Sequence, residues 1–362
     1  METLKNKEIL PLTSLRFFAA AIVVIAHLGY DYHLGGMGVT FFFILSGFIL
    51  SYNYAIKFMD WSSKQLISMW ISRVSRIYPV HIFMFILSLP LSYIYAREYS
   101  VIDTLSNIIL LQSWYPNGQG TFSYNGVSWT LSCELFFYLT LPFVLFTCSR
   151  RALQTKTALI FVAMLLIMAA IWLASLSAGH DIVEYSFKWW FYVISPYLRW
   201  MDFLFGIALG YAFLKVKSVK PKKINIFSLL EVLSLFSVVG FYFYFLHEEL
   251  PFKWNYSAYF NPLFGAIIYI FSFQSGLLSK FLSMQAFTYL GRISFSIYMT
   301  HQVLMFYWNR YIVNLNYIAS TKEEALNQLI YCAAVLIMSV FTYHAIENPA
   351  RRAIHKLSST PG

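Results

Sequence analysis

Apolar residues fall in runs of roughly 18 to 22, broken by short stretches rich in Lys, Arg, Asn, Gly and Pro, and each run can cross a ~30 Å hydrocarbon layer as a helix. Reading the runs against their breakers predicts ten spans, at residues 12–30, 37–56, 78–96, 129–147, 157–176, 197–214, 226–246, 256–275, 286–312 and 326–347. The tenth opens with a capping box, Thr321 to Glu324, and is expected to stop at Asn348-Pro349. Two connecting segments are longer, 97–128 and 177–196. Within the first, Asp103 to Trp114 is apolar but too short to span, which suits an interfacial or re-entrant helix. The expected fold is all-α: a polytopic membrane bundle of about ten transmembrane helices, filling residues 1–350 and followed by a short basic tail, 351–362. No internal repeat is visible.

Composition supports this reading. Of the 362 residues 59% are apolar and only 12% charged, against about 25% charged in an ordinary soluble protein. Disorder, a disulfide-stapled secreted domain and a soluble nucleotide-binding enzyme are excluded. The net charge of +10 would point to nucleic acid in a soluble protein; here it sets topology instead. With the N-terminus inside, 19 of the 26 basic residues fall on cytoplasmic segments and span ends, and six on outer ones. That asymmetry predicts an even number of spans with both termini cytoplasmic. Met1 to Lys7 is short and polar and no small-residue cleavage site follows the first apolar run, so the first span is expected to remain. Cys133, Cys148 and Cys332 lie in or beside apolar runs and read as packing residues, with neither a disulfide framework nor a metal site.

Charges inside spans are costly and mark candidate functional positions. The first span carries Arg16 and His27. Eleven helical steps place them about 20° from one another around the axis and about 16 Å apart along it. Small residues, Ala20 and Val23 or Val24, lie between them, giving a shallow groove with a cation at one end and an imidazole at the other. Arg73 and Arg76 form a fork of the kind that grips phosphate oxygens, although a positive-inside signal would read the same way. Thr130, Glu134 and Tyr138 recur every fourth residue as a polar stripe in the fourth span, and Ser294, Tyr298 and His301 make a matching stripe in the ninth. His27, Glu134 and His301 are expected in the outer half. Glu347 closes the tenth span near the depth of Arg16, which raises a buried Arg16–Glu347 ion pair as an expectation.

Phosphate-binding arginines at one end and acid/base groups at the other fit a donor with phosphates on a long arm that ends in a reactive group. Coenzyme A meets that description; a nucleotide-sugar or lipid phosphate could use the same arginines. A transporter or flippase of a lipid-linked sugar or small anion is the alternative, with the charges serving as a proton or head-group path.

The chain also resembles the integral-membrane acyltransferase-3 family, which O-acylates extracytoplasmic glycans and other small acceptors. The resemblance rests on Arg16 and His27 at their ten-residue separation within the stretch opening Leu12-Thr-Ser-Leu-Arg16, on Gly38-Val-Thr-Phe-Phe-Phe-Ile-Leu-Ser-Gly47, and on Arg73 and Arg76 followed by Ile77-Tyr-Pro79. It continues through Ser128-Trp-Thr-Leu-Ser-Cys-Glu134, Ile293-Ser-Phe-Ser-Ile-Tyr-Met-Thr-His301 and Glu347-Asn-Pro349. It implies an acyl-CoA donor, most often acetyl-CoA, used as substrate with no permanently bound cofactor, and an acceptor hydroxyl on a glycan or lipid-linked saccharide at the outer face. By the same resemblance His27 is the essential histidine. Arg16, Arg73 and Arg76 are the essential arginines, and Glu347 is the late acidic residue grouped with the donor site. His27 is expected to act as general base or brief acyl carrier, with Glu134 or His301 orienting it or shuttling the proton. Some relatives carry a fused hydrolase-like domain; its absence before Gly362 reads as direct transfer to the acceptor. Membrane lipids are the other expected partners, and nucleic acid is not one. Aromatic and amide side chains in segment 97–128 could receive a sugar, although Trp114, Tyr115, Trp189 and Trp190 could equally form an aromatic belt at the interface.

Overall fold

The computed structural model describes residues 8–55, 63–147, 183–216, 224–248, 256–315 and 318–359, with the single positions 166, 170 and 250. All regular structure among them is helical. The long helices are α1 (Leu10–His27), α2 (Tyr32–Tyr54), α3 (Ser63–Ile94), α5 (Trp129–Thr147), α6 (Pro196–Val216), α7 (Ile224–His247), α8 (Tyr256–Ser272), α10 (Gln285–Tyr311) and α11 (Lys322–Thr342). Shorter ones are α4 (Val101–Ile108), α9 (Leu277–Leu282) and α12 (Asn348–Ser359).

Six of the helical stretches are long and apolar enough to cross a membrane. The ten-span pattern differs from this for physical reasons. The expected spans 197–214 and 286–312 are present as α6 and α10, but they carry Arg199, Asp202, Arg292 and His301, which lowers their apolarity. The expected span 256–275 is the 17-residue α8, and 157–176 lies outside the described residues. Lipid-facing surface is plain on α7, where Leu229, Leu233, Phe236, Val239 and Phe243 are exposed along one stripe. Such a stripe would be costly in water and is the ordinary surface of a helix in lipid.

Two expected boundaries move. The segment 103–114 is helical only within α4, which opens with a capping box between Ser100 and Asp103. It stops because Leu110 turns into the left-handed region (φ 60°) and the Leu111 N–H reaches back to the Ser106 carbonyl at 2.7 Å. Val101, Ile102, Leu105 and Ile109 remain exposed on this short helix. The capping box at Thr321 and Glu324 forms in α11, but the chain does not end its helix at Asn348-Pro349. A π turn at Tyr343–Glu347 leads directly into α12. The wider turn relieves the clash between a proline ring and the carbonyl four residues earlier, so helix continues past Pro349.

Three close contacts set the helix directions. Helices α2 and α6 run parallel, with Gly47 against the Phe203 carbonyl, Gly206 against the Ile44 carbonyl and Gly210 against Ser51. A Cβ at Gly206 would stand 1.9 Å from that carbonyl oxygen, so only glycine permits the approach. Gly206→Ala is therefore expected to cost about 1–3 kcal/mol, seen as a lower thermal midpoint in detergent. Gly240→Ala on α7, where an added Cβ meets nothing within 4 Å, should leave the midpoint unchanged or raise it. Helices α1 and α10 are also parallel: Gly291 lies against the Thr13 backbone, Arg292 pairs with Glu8 at 3.1 Å, and a turn or more further on His27 meets His301. Helix α5 runs antiparallel to α10, with the Val127 N–H bonded to Gln302 Oε1 at 2.9 Å and Thr130 to Tyr298 at 3.0 Å.

Candidate active site

The last turn of α1 and the middle of α10 bring two imidazoles together. His27 Nδ1–H donates to the Val23 carbonyl at 2.8 Å, and His301 Nδ1–H donates to the Tyr298 carbonyl at 2.7 Å. These bonds assign the same neutral tautomer to both rings. His301 Nε2 then presents a lone pair toward His27 Nδ1 at a long 3.4 Å, with ring centroids 4.9 Å apart and the planes at 65°. His301 is completely buried, and its own carbonyl accepts from the Tyr331 hydroxyl at 2.7 Å. His27 is only partly buried, and its Nε2 is the one ring nitrogen of the pair with no hydrogen bond among the described residues. A base at Nε2, held by its own Nδ1–H bond with a second imidazole beside it, is the geometry of an oriented general base.

His27 lines a wide cavity of about 1040 Å³. Its walls include Arg97, Asp103, Asn117, Trp189 and Gln302. Arg97 stacks on the Phe306 ring at 5.0 Å. Asn117 donates to Asp103 at 2.7 Å. Trp114 and Trp190 anchor the segments that connect the long helices, donating to the carbonyls of Ser132 and Ser113 at 3.0 and 3.1 Å, and Tyr115 bonds Ser106. Trp189 lines the cavity itself.

A second, narrow cavity of about 90 Å³ is lined by Arg16, Arg73, Arg76, Glu134, Thr130 and Tyr138, with apolar walls from α2. The helix α3 begins well before the expected span, so Arg73 and Arg76 sit within it and face the bundle. Arg16 lies in the field of Arg76, Glu347 and Glu134. The two cavities share Val39 and Tyr298 as wall residues.

Glu134 thus joins the arginines and not the histidines. It accepts from the Tyr138 hydroxyl at 2.8 Å. The reason is register: Val127, just before α5, is level with Gln302 and α5 passes Tyr298 at Thr130, so Glu134, four residues on, lies about 6 Å below Tyr298. Glu347 is buried and accepts from Ser296 at 2.9 Å; its ion pair, at 3.9 Å, is with Arg351 of α12. The direct Arg16–Glu347 pair is replaced by this one, because the helix running past Pro349 brings Arg351 round one turn from Glu347. Arg292, near the start of α10, is exposed and paired with Glu8 at 3.1 Å.

Sequence reasoning missed two polar clusters. Arg199, at the start of the expected span 197–214, is buried and donates to the Val193 carbonyl at 2.7 Å, to Thr40 at 3.2 Å and to Asp202 at 3.3 Å. Asp202 also accepts from Asn261 at 2.9 Å, so the cluster ties α6 to α2 and α8. Arg199 and Asp202, three apart inside an apolar run, were the signal. Buried Glu231 of α7 accepts from the N–H groups of Gly276, Leu278 and Ser279 and from the Ser279 hydroxyl, capping α9. Gln302 completes the stripe 294, 298, 302 and lines the His27 cavity.

A multi-helix domain with membrane-length apolar helices and two cavities that share wall residues and are lined by ionisable side chains defines an integral-membrane protein. The acyltransferase-3 model, an acyltransferase domain, matches residues 11–344, and the chain belongs to that family. It is similar to the O-acetyltransferase OatA of Staphylococcus aureus (strain NCTC 8325 / PS 47), 24% identical over 97% of this chain and 59% of that protein. It is also similar to the peptidoglycan O-acetyltransferase OatA of Listeria monocytogenes, 24% identical over 96% of this chain and 56% of that protein. With the acyltransferase MdmB of Streptomyces mycarofaciens, identity is 32% over 36% of this chain and 38% of that protein. The chain spans less than two thirds of the length of the OatA relatives. No solved structure matches it.

Proposed function

We propose that this domain is a membrane O-acyltransferase that takes an acetyl group from acetyl-CoA and passes it to a hydroxyl of an extracytoplasmic or lipid-linked saccharide. The observation that carries the reading is the pair of cavities meeting at Val39 and Tyr298, with three guanidiniums lining one and His27 lining the other. In this reading Arg16, Arg73 and Arg76 bind the nucleotide phosphates, and Glu134 and Glu347 balance and space the guanidiniums. The pantetheine arm runs along the groove of α1 toward His27. His27 Nε2 removes the acceptor proton as its oxygen attacks the thioester, while the Val23 carbonyl keeps the Nδ1–H and the neighbouring His301 Nε2 lone pair steadies the imidazolium. Apolar α2 residues keep water from the thioester.

The wide cavity suits the acceptor. Trp189 and Tyr185 offer ring faces, and Gln302, Asn117 and Asp103 offer polar atoms, the chemistry that packs against and bonds sugar rings. One relative is a peptidoglycan O-acetyltransferase, and a cell-envelope glycan is the corresponding choice here. The parallel pairs α1–α10 and α2–α6 and the antiparallel pair α5–α10 fit a reading of ten crossings of the bacterial inner membrane with cytoplasmic termini, in which the arginines lie on the acetyl-CoA side. The test is transfer of labelled acetyl from acetyl-CoA, added to the arginine side of proteoliposomes, onto glycan fragments on the other side. No wild-type transfer to any such glycan, with donor turnover also absent, would overturn the reading.

A further inference from the structure

We propose that Tyr298 is a catalytic residue whose phenol O–H donates to the acyl carbonyl oxygen as negative charge builds there. The inference rests on the acyl-transfer reading above and adds a group that the reading lacks, the electrophilic partner of the base.

Position is the first argument. Tyr298 and Val39 are the residues common to the walls of both cavities. Valine brings only apolar atoms, so of the two shared side chains the phenol alone offers a polar hydrogen. Any acyl group carried from the arginines to His27 passes it. The Tyr298 ring stands 5.9 Å from that of His301, which in turn stands 4.9 Å from His27. Base and phenol therefore flank one short stretch of the path, with His301 between them.

Hydrogen bonding is the second argument. The Tyr298 hydroxyl lies 3.0 Å from Thr130 Oγ1 and donates to the Val127 carbonyl at 3.2 Å. Thr130 independently donates to the same carbonyl at 3.0 Å. If the phenol swings its hydrogen to an arriving carbonyl, Val127 keeps its Thr130 bond and no buried acceptor is orphaned. The phenol is thus free to be re-aimed at no cost to the wall that holds it. The phenol oxygen is held within 3.0 Å of Thr130 Oγ1, whose own hydrogen stays on the Val127 carbonyl, so the donor is placed before the acyl group arrives. Phe42, with its ring 6.0 Å away, and Phe295 on the wall of the narrow cavity make the surroundings apolar, where a donated hydrogen bond to developing charge counts most.

The step balances without a further reagent. His27 Nε2 takes the acceptor proton as the acceptor oxygen bonds to the thioester carbon. The carbonyl electron pair moves onto oxygen, which accepts from the Tyr298 O–H. Collapse re-forms the carbonyl, breaks the C–S bond and releases the thiolate, which takes the proton from His27. Thioester and alcohol become ester and thiol, and Tyr298 ends with its own proton.

The test uses the full chain in proteoliposomes with labelled acetyl-CoA. Tyr298→Phe is expected to lower kcat by about 10²–10³-fold with KM for acetyl-CoA within about twofold of wild type. Fluorotyrosine placed at 298, a more acidic phenol of nearly the same size, should transfer at the wild-type rate or faster. Full-rate transfer by Tyr298→Phe would overturn the proposal. So would a kcat loss accompanied by a comparable rise in donor KM or by a lowered thermal midpoint, which would mark Tyr298 as packing alone, or a fluorotyrosine variant as slow as the phenylalanine one. Failure of the wild-type chain to transfer acetyl would instead strike at the acyl-transfer reading itself.

Discussion

His27→Ala is expected to lower acetyl transfer by about three orders of magnitude, the range for loss of a positioned general base, at unchanged amounts of folded protein. The expectation follows from tautomer and exposure. The Val23 carbonyl takes the Nδ1 proton at 2.8 Å, leaving Nε2 as the lone pair at the cavity wall, and alanine removes it without enlarging the sealed core, because the imidazole already borders open space. His301→Ala should have a smaller effect, about ten- to a hundredfold, because it removes the neighbour that steadies the imidazolium and leaves the base. Transfer measured with labelled acetyl-CoA, alongside thermal midpoints of the same preparations, separates the two. Wild-type rates in His27→Ala would end its role, and a His301 loss as large as that of His27 would assign the proton to the pair and not to His27 alone.

The second large effect is expected from Arg73→Ala combined with Arg76→Ala. Each guanidinium bonded to a phosphate is worth about 1.5–3 kcal/mol net. Losing two should therefore raise KM for acetyl-CoA by about a hundredfold or more, with kcat at saturating donor changed little. Acetyl-pantetheine, which has the thioester but no nucleotide phosphates, is the control, and its KM should not respond. Unchanged KM for acetyl-CoA, or an equal rise for both donors, would show that the two arginines serve topology or packing. Arg351 stands beside the same cluster through its pair with Glu347, so Arg351→Ala should produce a weaker shift of the same kind.

The pattern of residues made several parts of this site readable. Arg16 and His27 share a face because eleven helical steps nearly complete three turns, and the structure keeps both on cavity walls. His27 and His301 were expected at one depth, and parallel packing of α1 on α10 puts their rings in contact. The arginine fork was readable as a spacing, though not as part of a cavity. Glu134 shows where such reading stops. Counting residues from the start of its span gave a depth near the histidines, yet Val127, just before α5, is already level with Gln302, and the residues that follow carry the carboxylate to the arginines. Depth within a bundle depends on where neighbouring helices start, which no single helix encodes. Glu347 fails in the same way: a proline ordinarily stops a helix, but the π turn at 343–347 lets it continue, and Arg351 becomes the partner in place of Arg16.

The sequence by itself determined the helical, membrane-embedded character of the chain, the acyltransferase family, the capped start of α11 and the roster of intramembrane charges. These follow from local chemistry, since apolar length, helical period and capping act within one segment. Only the tertiary structure decided which charges meet. It sorted Glu134 to the arginines, turned Arg199 from a span-end charge into a buried tie between three helices, gave Glu231 to the N-terminus of α9, and set Tyr298 where two cavities join. Those outcomes depend on the register and close approach of helices distant in the chain, fixed by contacts such as Gly206 on Ile44 and Gly291 on Thr13, and a side chain's partner across such an interface is a property of the packing and not of its own segment.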